Sequence, residues 1–221
     1  MSVKAIDVAR METREINRLL RKSEGKVRLL NPNSAHFLAA GLCKNLVLEI
    51  EGSAGYYLGT CMHGPHVHVR GNAGWYAGDN MTDGSIIIDG SSGDGVGQGI
   101  YDGTIVVKGG SGARTGQLMK NGTIIVGGNS GYMTGLYAFG GQVVVCGDVD
   151  HSAGESIIGG VIYVGGKIAS LGKNAGKRKI TQDEYRHLKR LLTKFGLRAP
   201  KNFVKIVPLQ KRFYRLDIGW G

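Results

Sequence analysis

Large aliphatic residues alternate with variable residues in seven short segments of the chain. In each segment two aliphatic side chains lie four and two residues before a glycine, and the residue between them varies. A period of two is typical of a β-strand that buries one of its faces. The fourteen aliphatic positions are Leu48, Ile50, Val67, Val69, Ile86, Ile88, Ile105, Val107, Ile124, Val126, Val143, Val145, Ile162 and Val164.

The glycines that follow these segments recur every 19 residues, and we call them the anchor glycines. They are Gly52, Gly71, Gly90, Gly109, Gly128, Gly147 and Gly166. A helical repeat would lose about 1 kcal/mol per glycine relative to alanine, whereas tight turns use glycine where φ is positive or where stacked coils crowd together. The pattern predicts an all-β protein, a right-handed parallel β-helix (solenoid) of about seven 19-residue coils over residues 46–171.

A second set of buried positions and an alternative interpretation of the glycines complete this picture. A column ten residues after each anchor is also expected to face the core, and it consists of Met62, Met81, Ile100, Met119, Ala138 and Ile157. Glycine-rich turns can instead cradle phosphate, but such a turn follows a strand and opens a helix. These glycines recur in every repeat with no helical pattern after them, so the phosphate interpretation is not favoured.

The two flanks differ from the repeat. Residues 1–45 are predicted to form an N-terminal capping segment, with a short helix between residues 11 and 22 and Thr13 as its cap. Residues 172–221 are predicted to form a basic helix and tail, because Thr181 and Glu184 make a capping box before an apolar stripe, and Gly196 ends the helix. The stripe consists of Tyr185, Leu188, Leu191, Leu192 and Phe195. It packs on the solenoid or caps its last coil, and both arrangements remain open.

Net charge is confined to the C-terminal flank. The chain of 221 residues has a formal charge of +11, and residues 1–171 carry 14 basic and 14 acidic side chains, so the whole excess lies in residues 172–221. No nucleic-acid motif accompanies this excess, so docking on an acidic partner subunit is favoured over nucleic-acid binding. The candidate docking residues are Arg186, Lys189, Arg190, Lys211, Arg212 and Arg215.

Neither a membrane span nor a disulfide framework is indicated. No apolar run approaches the roughly 18 residues that a spanning helix needs, and the N-terminus has no apolar core typical of a signal peptide. Cys43, Cys61 and Cys146 are far apart and form no C-x-x-C pair. A cytoplasmic protein with reduced thiols is therefore expected.

No constellation of residues typical of catalysis stands out. His63, His66 and His68 are expected to be surface histidines, because no carboxylate or cysteine lies near them in register. The aspartates at 79, 83, 89, 94 and 102 do not recur at one offset and are interpreted as solvated turn residues. We therefore predict no catalytic, cofactor-binding or metal-binding residue in this chain.

The glycine repeats, for example residues 71–81 and 147–154, resemble the C-terminal glycine-repeat (GXGXG) domain of the glutamate synthase large subunit. The resemblance covers about residues 30–172. It implies a right-handed β-helix without catalytic residues, which holds a glutamine amidotransferase and an FMN/iron–sulfur synthase domain together. The N-terminal residues 14–17, Asn31-Pro32 and Gly55-Tyr56-Tyr57 look most like those of stand-alone proteins such as the separate glycine-repeat chain of N-methylglutamate synthase, although the C-terminal tail departs from that pattern.

The resemblance implies a non-catalytic assembly subunit of a glutamate-synthase-like enzyme. Its expected partners are an amidotransferase-like subunit and an FMN-binding synthase subunit. FMN and an iron–sulfur cluster would lie in those partners and no cofactor in this chain. The repeat also resembles the β-helical chain of formylmethanofuran dehydrogenase, and an independent interaction module that uses the basic tail is a further alternative.

Overall fold

A single sheet runs through nearly the whole chain in the computed structural model, which describes residues 3–210. Its strands follow the chain in the order β1 to β9, then β11 and β10. Helix α1 (Thr13–Lys22) follows β1, and helix α2 (Gln182–Lys194) lies between β10 and β11. The strands are β1 (Val3–Asp7), β2 (Lys26–Leu30), β3 (Val47–Glu51), β4 (His66–Val69), β5 (Ser85–Ile88), β6 (Thr104–Val107), β7 (Thr123–Val126), β8 (Gln142–Val145), β9 (Val161–Val164), β10 (Ala175–Lys179) and β11 (Val204–Pro208).

Strands β1 to β9 pair in parallel, each with the equivalent strand of the next coil. From β3 to β9 every register places residues 19 apart opposite each other, as in Leu48 with Val67. A second column of parallel bridges on another side joins the same coils through residues such as Ala54, Ala73 and Ser92. The predicted all-β solenoid is confirmed.

The seven predicted 19-residue coils correspond to β3–β9, and the solenoid has about nine turns in all. β1 and β2 add two parallel rungs before the first anchor, within residues 1–45 that were predicted only to cap the stack. These rungs have no 19-residue register, and α1 occupies the connection between them. The sheet therefore crosses the predicted boundary at residue 45.

The core is a ladder of aliphatic side chains. All fourteen predicted inward positions are at most 1% exposed, and the column that begins with Met62 is at most 3% exposed. Burial of one such side chain contributes about 1.5–3 kcal/mol. This ladder is the main source of stability.

The anchor glycines are needed because successive coils crowd together. An added Cβ at each anchor would lie 2.2–3.1 Å from an atom of the segment one coil earlier. Only Gly52 among the seven anchors has positive φ. Elsewhere in the coil glycine also has a conformational role, since Gly84 has φ of 96°.

The N-terminal end is closed by α1. The helix begins at Thr13 and has Glu12, not Thr13, as its N-cap. Ile16 and Leu20 are buried in the same cluster as Val27 and Leu29 of β2. Helix α1 therefore contributes apolar side chains to the core at this end.

The C-terminal end is closed by β10 and β11 rather than by α2. β11 pairs antiparallel with both β9 and β10, so the edge of the last parallel strand is covered. Ala175 and Ile206 complete the core, and both lie 3.1 Å from the position a Cβ would take at Gly154. The capping box of Thr181 and Glu184 is confirmed. The side chains of Leu188 and Leu192 pack on the outer face of the sheet, against Val106, Ile125, Val144 and Tyr163.

Two outward columns of side chains change in polarity and size where α2 and the chain after it cross the sheet. The residue between the two aliphatic positions is polar at Glu49 and His68 but apolar from Ile87 to Tyr163. The residue before the anchor is charged in the early coils but small at Gly127, Cys146 and Gly165. An added Cβ at Gly127 would lie 2.9 Å from Leu197 Cδ2, and one at Gly165 would lie 2.4 Å from Pro200 Cγ. These small residues make room for the chain that follows α2.

Neither helix within residues 3–210 is both long and apolar enough to span a lipid bilayer.

Candidate interaction surfaces

The exposed face of α2 carries three of the six predicted docking residues. Because Leu188 and Leu192 point into the sheet, Arg186, Lys189 and Arg190 are exposed on the opposite side. Together with Asp183 these three side chains line one shallow depression, in which Arg186 pairs with Asp183. The other three predicted residues, Lys211, Arg212 and Arg215, lie outside the described part of the chain.

Strand β10, which precedes α2 in the chain, carries three further cations. Lys177, Arg178 and Lys179 are all exposed, and Arg178 is paired in the ladder with Lys205, whose Nζ lies 2.7 Å from Glu184 Oε1. Residues 172–210 contain only two carboxylates besides eleven basic side chains. Both carboxylates are already paired, so the excess positive charge is exposed. We call this the basic surface, and it consists of Lys177, Arg178, Lys179, Arg186, Lys189, Arg190, Lys194, Arg198 and Lys201.

Glu184 fixes the start of α2 to the last rungs of the sheet. Its carboxylate accepts hydrogen bonds from Lys205 Nζ at 2.7 Å, from the Thr181 amide at 2.7 Å and from Tyr163 Oη at 3.2 Å. Burial acts to raise the pKa of Glu184, but the hydrogen bonds from Lys205 and Thr181 outweigh it and lower the pKa from 4.5 to about 2. Burial and the Glu184 charge raise the pKa of Tyr163 to about 12.

Acid is therefore expected to loosen α2. A carboxylate with a lowered folded pKa stabilises the fold fully above its unfolded pKa of 4.5 and loses that contribution as pH falls towards about 2. Glu184→Gln should lower the free energy of unfolding at neutral pH by about 1 kcal/mol, as expected for a partly exposed ion pair. The thermal midpoint should fall accordingly. The difference from wild type should shrink as pH falls through that window. Thermal melts at stepped pH, with exposed Glu24→Gln as the control, measure it, and a pH-independent difference would contradict the assignment.

An ion-pair ladder occupies the outward face of the early coils. Glu49 lies 3.0 Å from Lys26, 3.2 Å from Arg28 and 3.3 Å from Arg70. Two coils later Asp89 lies 2.7 Å from Lys108 Nζ and 3.0 Å from His68 Nε2. Burial acts to raise the pKa of Asp89, but hydrogen bonds with Lys108 and His68 outweigh it and lower the pKa to about 2.

The histidines are partnered within this region of the surface. His63 Nδ1 lies 3.1 Å from Thr82 Oγ1, and His66 Nδ1 lies 2.9 Å from Ser85 Oγ. The expectation that no carboxylate lies near His68 is wrong, because Asp89 precedes its anchor and points to the same side one coil away. Over residues 3–210 no group of three His, Cys, Asp or Glu side chains is arranged to hold a metal ion.

The turn aspartates are less solvated than expected. Asp79 is only 8% exposed and accepts hydrogen bonds from Thr60, Asn80 and Gln98. Asp94 and Asp102 each accept a hydrogen bond from a backbone amide. These carboxylates hold the turns in place, and for Asp79 the interpretation as a solvated residue is wrong.

One groove of about 570 Å³ lies on the later coils, beside the column of isolated parallel bridges. It is lined by Ser111, Ser130, Asp148 and Asp150, among others. Asp148 Oδ1 already accepts a hydrogen bond from the Lys167 amide, and Asp150 Oδ1 accepts one from the His151 amide. The carboxylates of the groove thus serve the turns, and they do not converge on a ligand position.

Two parallel stacks of rings form a surface that the sequence pattern did not predict. In one, His36, Tyr56 and Trp75 stack with centroid distances of 4.6 and 4.9 Å. In the other, Phe37, Tyr57 and Tyr76 stack at 5.0 Å in both steps. We call these six residues the aromatic double stack. The pairs Tyr56-Tyr57 and Trp75-Tyr76 are 19 residues apart and could have been found from the register, whereas His36 and Phe37 are offset by 20.

The aromatic double stack is exposed and ends abruptly. Phe37, Tyr56 and Trp75 are 47%, 39% and 48% exposed. In the next coil Asp94 and Gly95 take the positions of Trp75 and Tyr76. An added Cβ would lie 2.2 Å from Trp75 at Gly93 and 2.4 Å from Tyr76 at Gly95. Glycine at these positions leaves room for the last two rings.

Comparison with known proteins agrees with this architecture. A family model described as the GXGXG motif matches residues 28–198, which is well over half of the chain. The match starts in β2 and extends past α2, beyond the range of about 30–172 over which the repeat itself is recognisable. No curated protein matches the chain. The GXGXG model represents the C-terminal domain of glutamate synthases, and the chain therefore belongs to the GXGXG motif family, which links it to glutamate-synthase-like proteins.

Proposed function

We propose that this protein is a non-catalytic assembly subunit of a multi-subunit glutamate-synthase-like enzyme. Its partners would be a glutamine amidotransferase-like subunit and an FMN-binding synthase subunit, which together make glutamate or N-methylglutamate. FMN and the iron–sulfur cluster would lie in the partner subunits. The observation that carries the proposal is a strongly basic surface on one side of a neutral GXGXG solenoid.

The arrangement of polar groups supports a structural role. Glu49, Asp89 and Glu184 are each held by two or more neighbours, and Asp79 accepts three hydrogen bonds. Such groups stabilise a rigid framework, because breaking their hydrogen bonds leaves polar groups unsatisfied. A rigid solenoid can hold two partners at a constant separation.

The basic surface favours an acidic protein as its partner. Lys189 and Arg190 are exposed at the middle of α2 and line one depression with Arg186, so a partner meets several positive charges at once. Complementary charges of this kind raise the association rate and set the orientation of the complex. Exposed charges are screened beyond a Debye length of about 10 Å at 0.1 M salt. Docking at this surface should therefore weaken as salt is added.

Purification of the tagged chain from its native host tests the proposal. We expect an amidotransferase-like chain and a flavin-containing chain to co-purify in fixed proportion, with the absorbance of FMN in the complex and not in the isolated subunit. Partner chains are identified by mass spectrometry. Elution of the chain without a flavoprotein would refute the proposal.

Charge reversal tests the basic surface itself. Lys189→Glu with Arg190→Glu should reduce partner binding by about 10-fold or more near 0.1 M salt, because two exposed attractive charges become repulsive. Arg114→Glu with Lys167→Glu reverses two exposed cations elsewhere on the solenoid and should leave binding unchanged. Titration of the purified partners against each variant measures the effect. Equal loss in both pairs would mean that net charge alone matters.

The tail is best tested apart from β11. Removal of residues 198–221 would delete β11 and expose the edge of β9. A loss of assembly could then result from misfolding rather than from a lost docking contact. Removal of residues 211–221 deletes Lys211, Arg212 and Arg215 and leaves the described sheet intact. We expect weaker assembly with unchanged circular dichroism. An unaffected complex would remove these three residues from the docking surface.

A further inference from the structure

We propose that the aromatic double stack is a second docking surface, which binds a partner subunit. The matching face of that partner is an uncharged apolar patch with an acidic rim. The inference rests on the proposed function, since it places one of the proposed partner subunits on the early coils, away from the basic surface. Four properties of the surface carry it.

The first property is the orientation of the rings. Within each stack the planes are within 18° of parallel, so neighbouring rings cover both faces of Tyr56 and Tyr57 and one face of each terminal ring. The stacks therefore present ring edges and hydroxyl groups to solvent. A nucleic-acid base or a sugar binds to the face of an aromatic ring, whereas tyrosine and tryptophan with one polar end are typical of protein interfaces.

The second property is the depletion of charge. The three turn segments that carry the rings, residues 31–43, 52–63 and 71–82, contain no lysine, arginine or glutamate. Their one aspartate, Asp79, is buried and hydrogen-bonded. Aromatic enrichment with charge depletion is the composition of an interface core. A phosphate-bearing ligand would find no cation within these segments.

The third property is the rigidity of the turns that carry the rings. Phe37, Tyr57 and Tyr76 have φ of 56°, 58° and 60°, a conformation that costs a non-glycine residue about 1 kcal/mol or more. The same position has φ of 71° at Gly95, 58° at Arg114 and 59° at Met133. The left-handed turn therefore belongs to the repeat, and it sets the direction in which each ring leaves the backbone. Rings held in this way lose little conformational entropy on binding.

The fourth property is size together with the neighbouring charge. Each aromatic side chain offers about 150–250 Å², so the exposed parts of these rings amount to roughly half of the 800 Å² per partner in a stable interface. Helix α1 adjoins the patch, because Asn17 hydrogen-bonds to Phe37 O at 2.8 Å and to the Ala39 amide at 2.9 Å. Arg14, Arg18 and Arg21 are exposed on α1. A partner that covers both elements would reach a stable area and meet these cations with acidic residues.

Hydroxyl-radical footprinting of the native complex tests this surface. Oxidation of Tyr56 and Trp75 should be about 5-fold slower in the complex than in the isolated chain, because a docked partner excludes water from the interface core. Tyr132 is the matched control, since it lies in the column of Tyr56 and Trp75 and is 41% exposed. Its oxidation should not change.

Substitutions give an independent measurement. Trp75→Ala should weaken partner binding by about 30-fold, as expected for a central aromatic anchor, whereas Trp75→Phe should keep the stack and most of the affinity. Tyr132→Ala is the control. Circular dichroism and the thermal midpoint of each variant show whether the fold is intact, and footprinting of the unaltered complex stands if Trp75→Ala fails to fold.

The outcomes separate the two proposals. A complex in which Tyr56 and Trp75 remain as reactive as in the isolated chain overturns this inference and leaves the proposed function in place. The absence of any co-purifying flavoprotein overturns both. Self-association that Trp75→Ala abolishes, seen by sedimentation of the isolated chain, would identify a second copy as the occupant. Binding to phosphatidylcholine–phosphatidylglycerol vesicles that depends on Trp75 would identify a lipid surface, and either result overturns the inference.

Discussion

Gly84→Ala is expected to destabilise the protein by about 4 kcal/mol, since it combines backbone strain with overpacking. Gly84 has φ of 96°, and an added Cβ would lie 2.3 Å from Pro65 O and 3.0 Å from Gly64 C. Both neighbours are backbone atoms of the preceding coil, so relief requires two coils to move apart. That movement would disturb the parallel pairing of β4 with β5.

Two other glycines separate the causes of this effect. Gly25 has φ of 69° but nothing within 4 Å of an added Cβ, so Gly25→Ala measures the conformational cost, about 1 kcal/mol. Gly110 is not in the left-handed region, and an added Cβ there would lie 3.1 Å from Asn129 O, its nearest neighbour. Gly110→Ala therefore measures mild crowding without the conformational cost. Urea unfolding of the three variants, followed by circular dichroism, gives the comparison. Equal losses for Gly84→Ala and Gly25→Ala would show that crowding between coils contributes nothing.

Leu192→Asp is expected to release α2 from the sheet and to reduce stability by about 4 kcal/mol, through lost apolar burial and a buried carboxylate. Leu192 is fully buried in the cluster with Val106, Ile125 and Val144. Because the outward side chains of β6 to β8 depend on α2 for cover, its release would expose an apolar stripe. The rungs themselves should persist, since their inward ladder does not involve α2.

Hydrogen exchange resolves this partial unfolding. Amides of α2 in Leu192→Asp should exchange close to the rate of an unfolded segment, while those of β5 to β7 stay protected. His187→Asp changes an exposed residue of the same helix and should leave protection unchanged. Retained protection of α2 in Leu192→Asp would contradict the docking described for this helix.

These effects matter for function because each proposed docking surface depends on a different region of the scaffold. The basic surface is displayed only while α2 is packed on the sheet. The aromatic double stack depends on the first three turn segments and on glycines at positions 93 and 95. A variant that disrupts one surface should therefore leave the other in place, and partner binding can be assigned to each surface separately.

Much of the fold was predictable from residue periodicity. The inward side chains of β3 to β9 follow one register, and all fourteen are buried. The need for glycine in the turns was also predictable. An anchor such as Gly109 is crowded by the preceding coil, as the repeat predicted. The two additional rungs were not predictable in this way, since β1 and β2 belong to a segment without anchor glycines. A strand outside the repeat shows only a short apolar pattern, which a cap or a loop can share.

The docking site of α2 shows the limit of periodicity. Its stripe was predicted, but whether it packs on the side or on the end of the solenoid depended on which surface offered apolar contacts. The outward change from His68 to Ile87 and the small residues Gly127 and Gly165 mark that surface. The sequence does not reveal this role, because it depends on Leu197 and Pro200 lying over Gly127 and Gly165 in the folded protein.

The sequence by itself determined the repeat, the inward ladder and the location of the excess charge, because each of these is a property of spacing or composition along the chain. Only the tertiary structure decided which distant residues share a surface. Stacking the coils brings His36, Tyr56 and Trp75 into contact, and the return of the chain through β11 sets Lys205 beside Glu184. Such contacts depend on how coils align and on where the chain folds back, and neither is encoded in the local alternation of side chains.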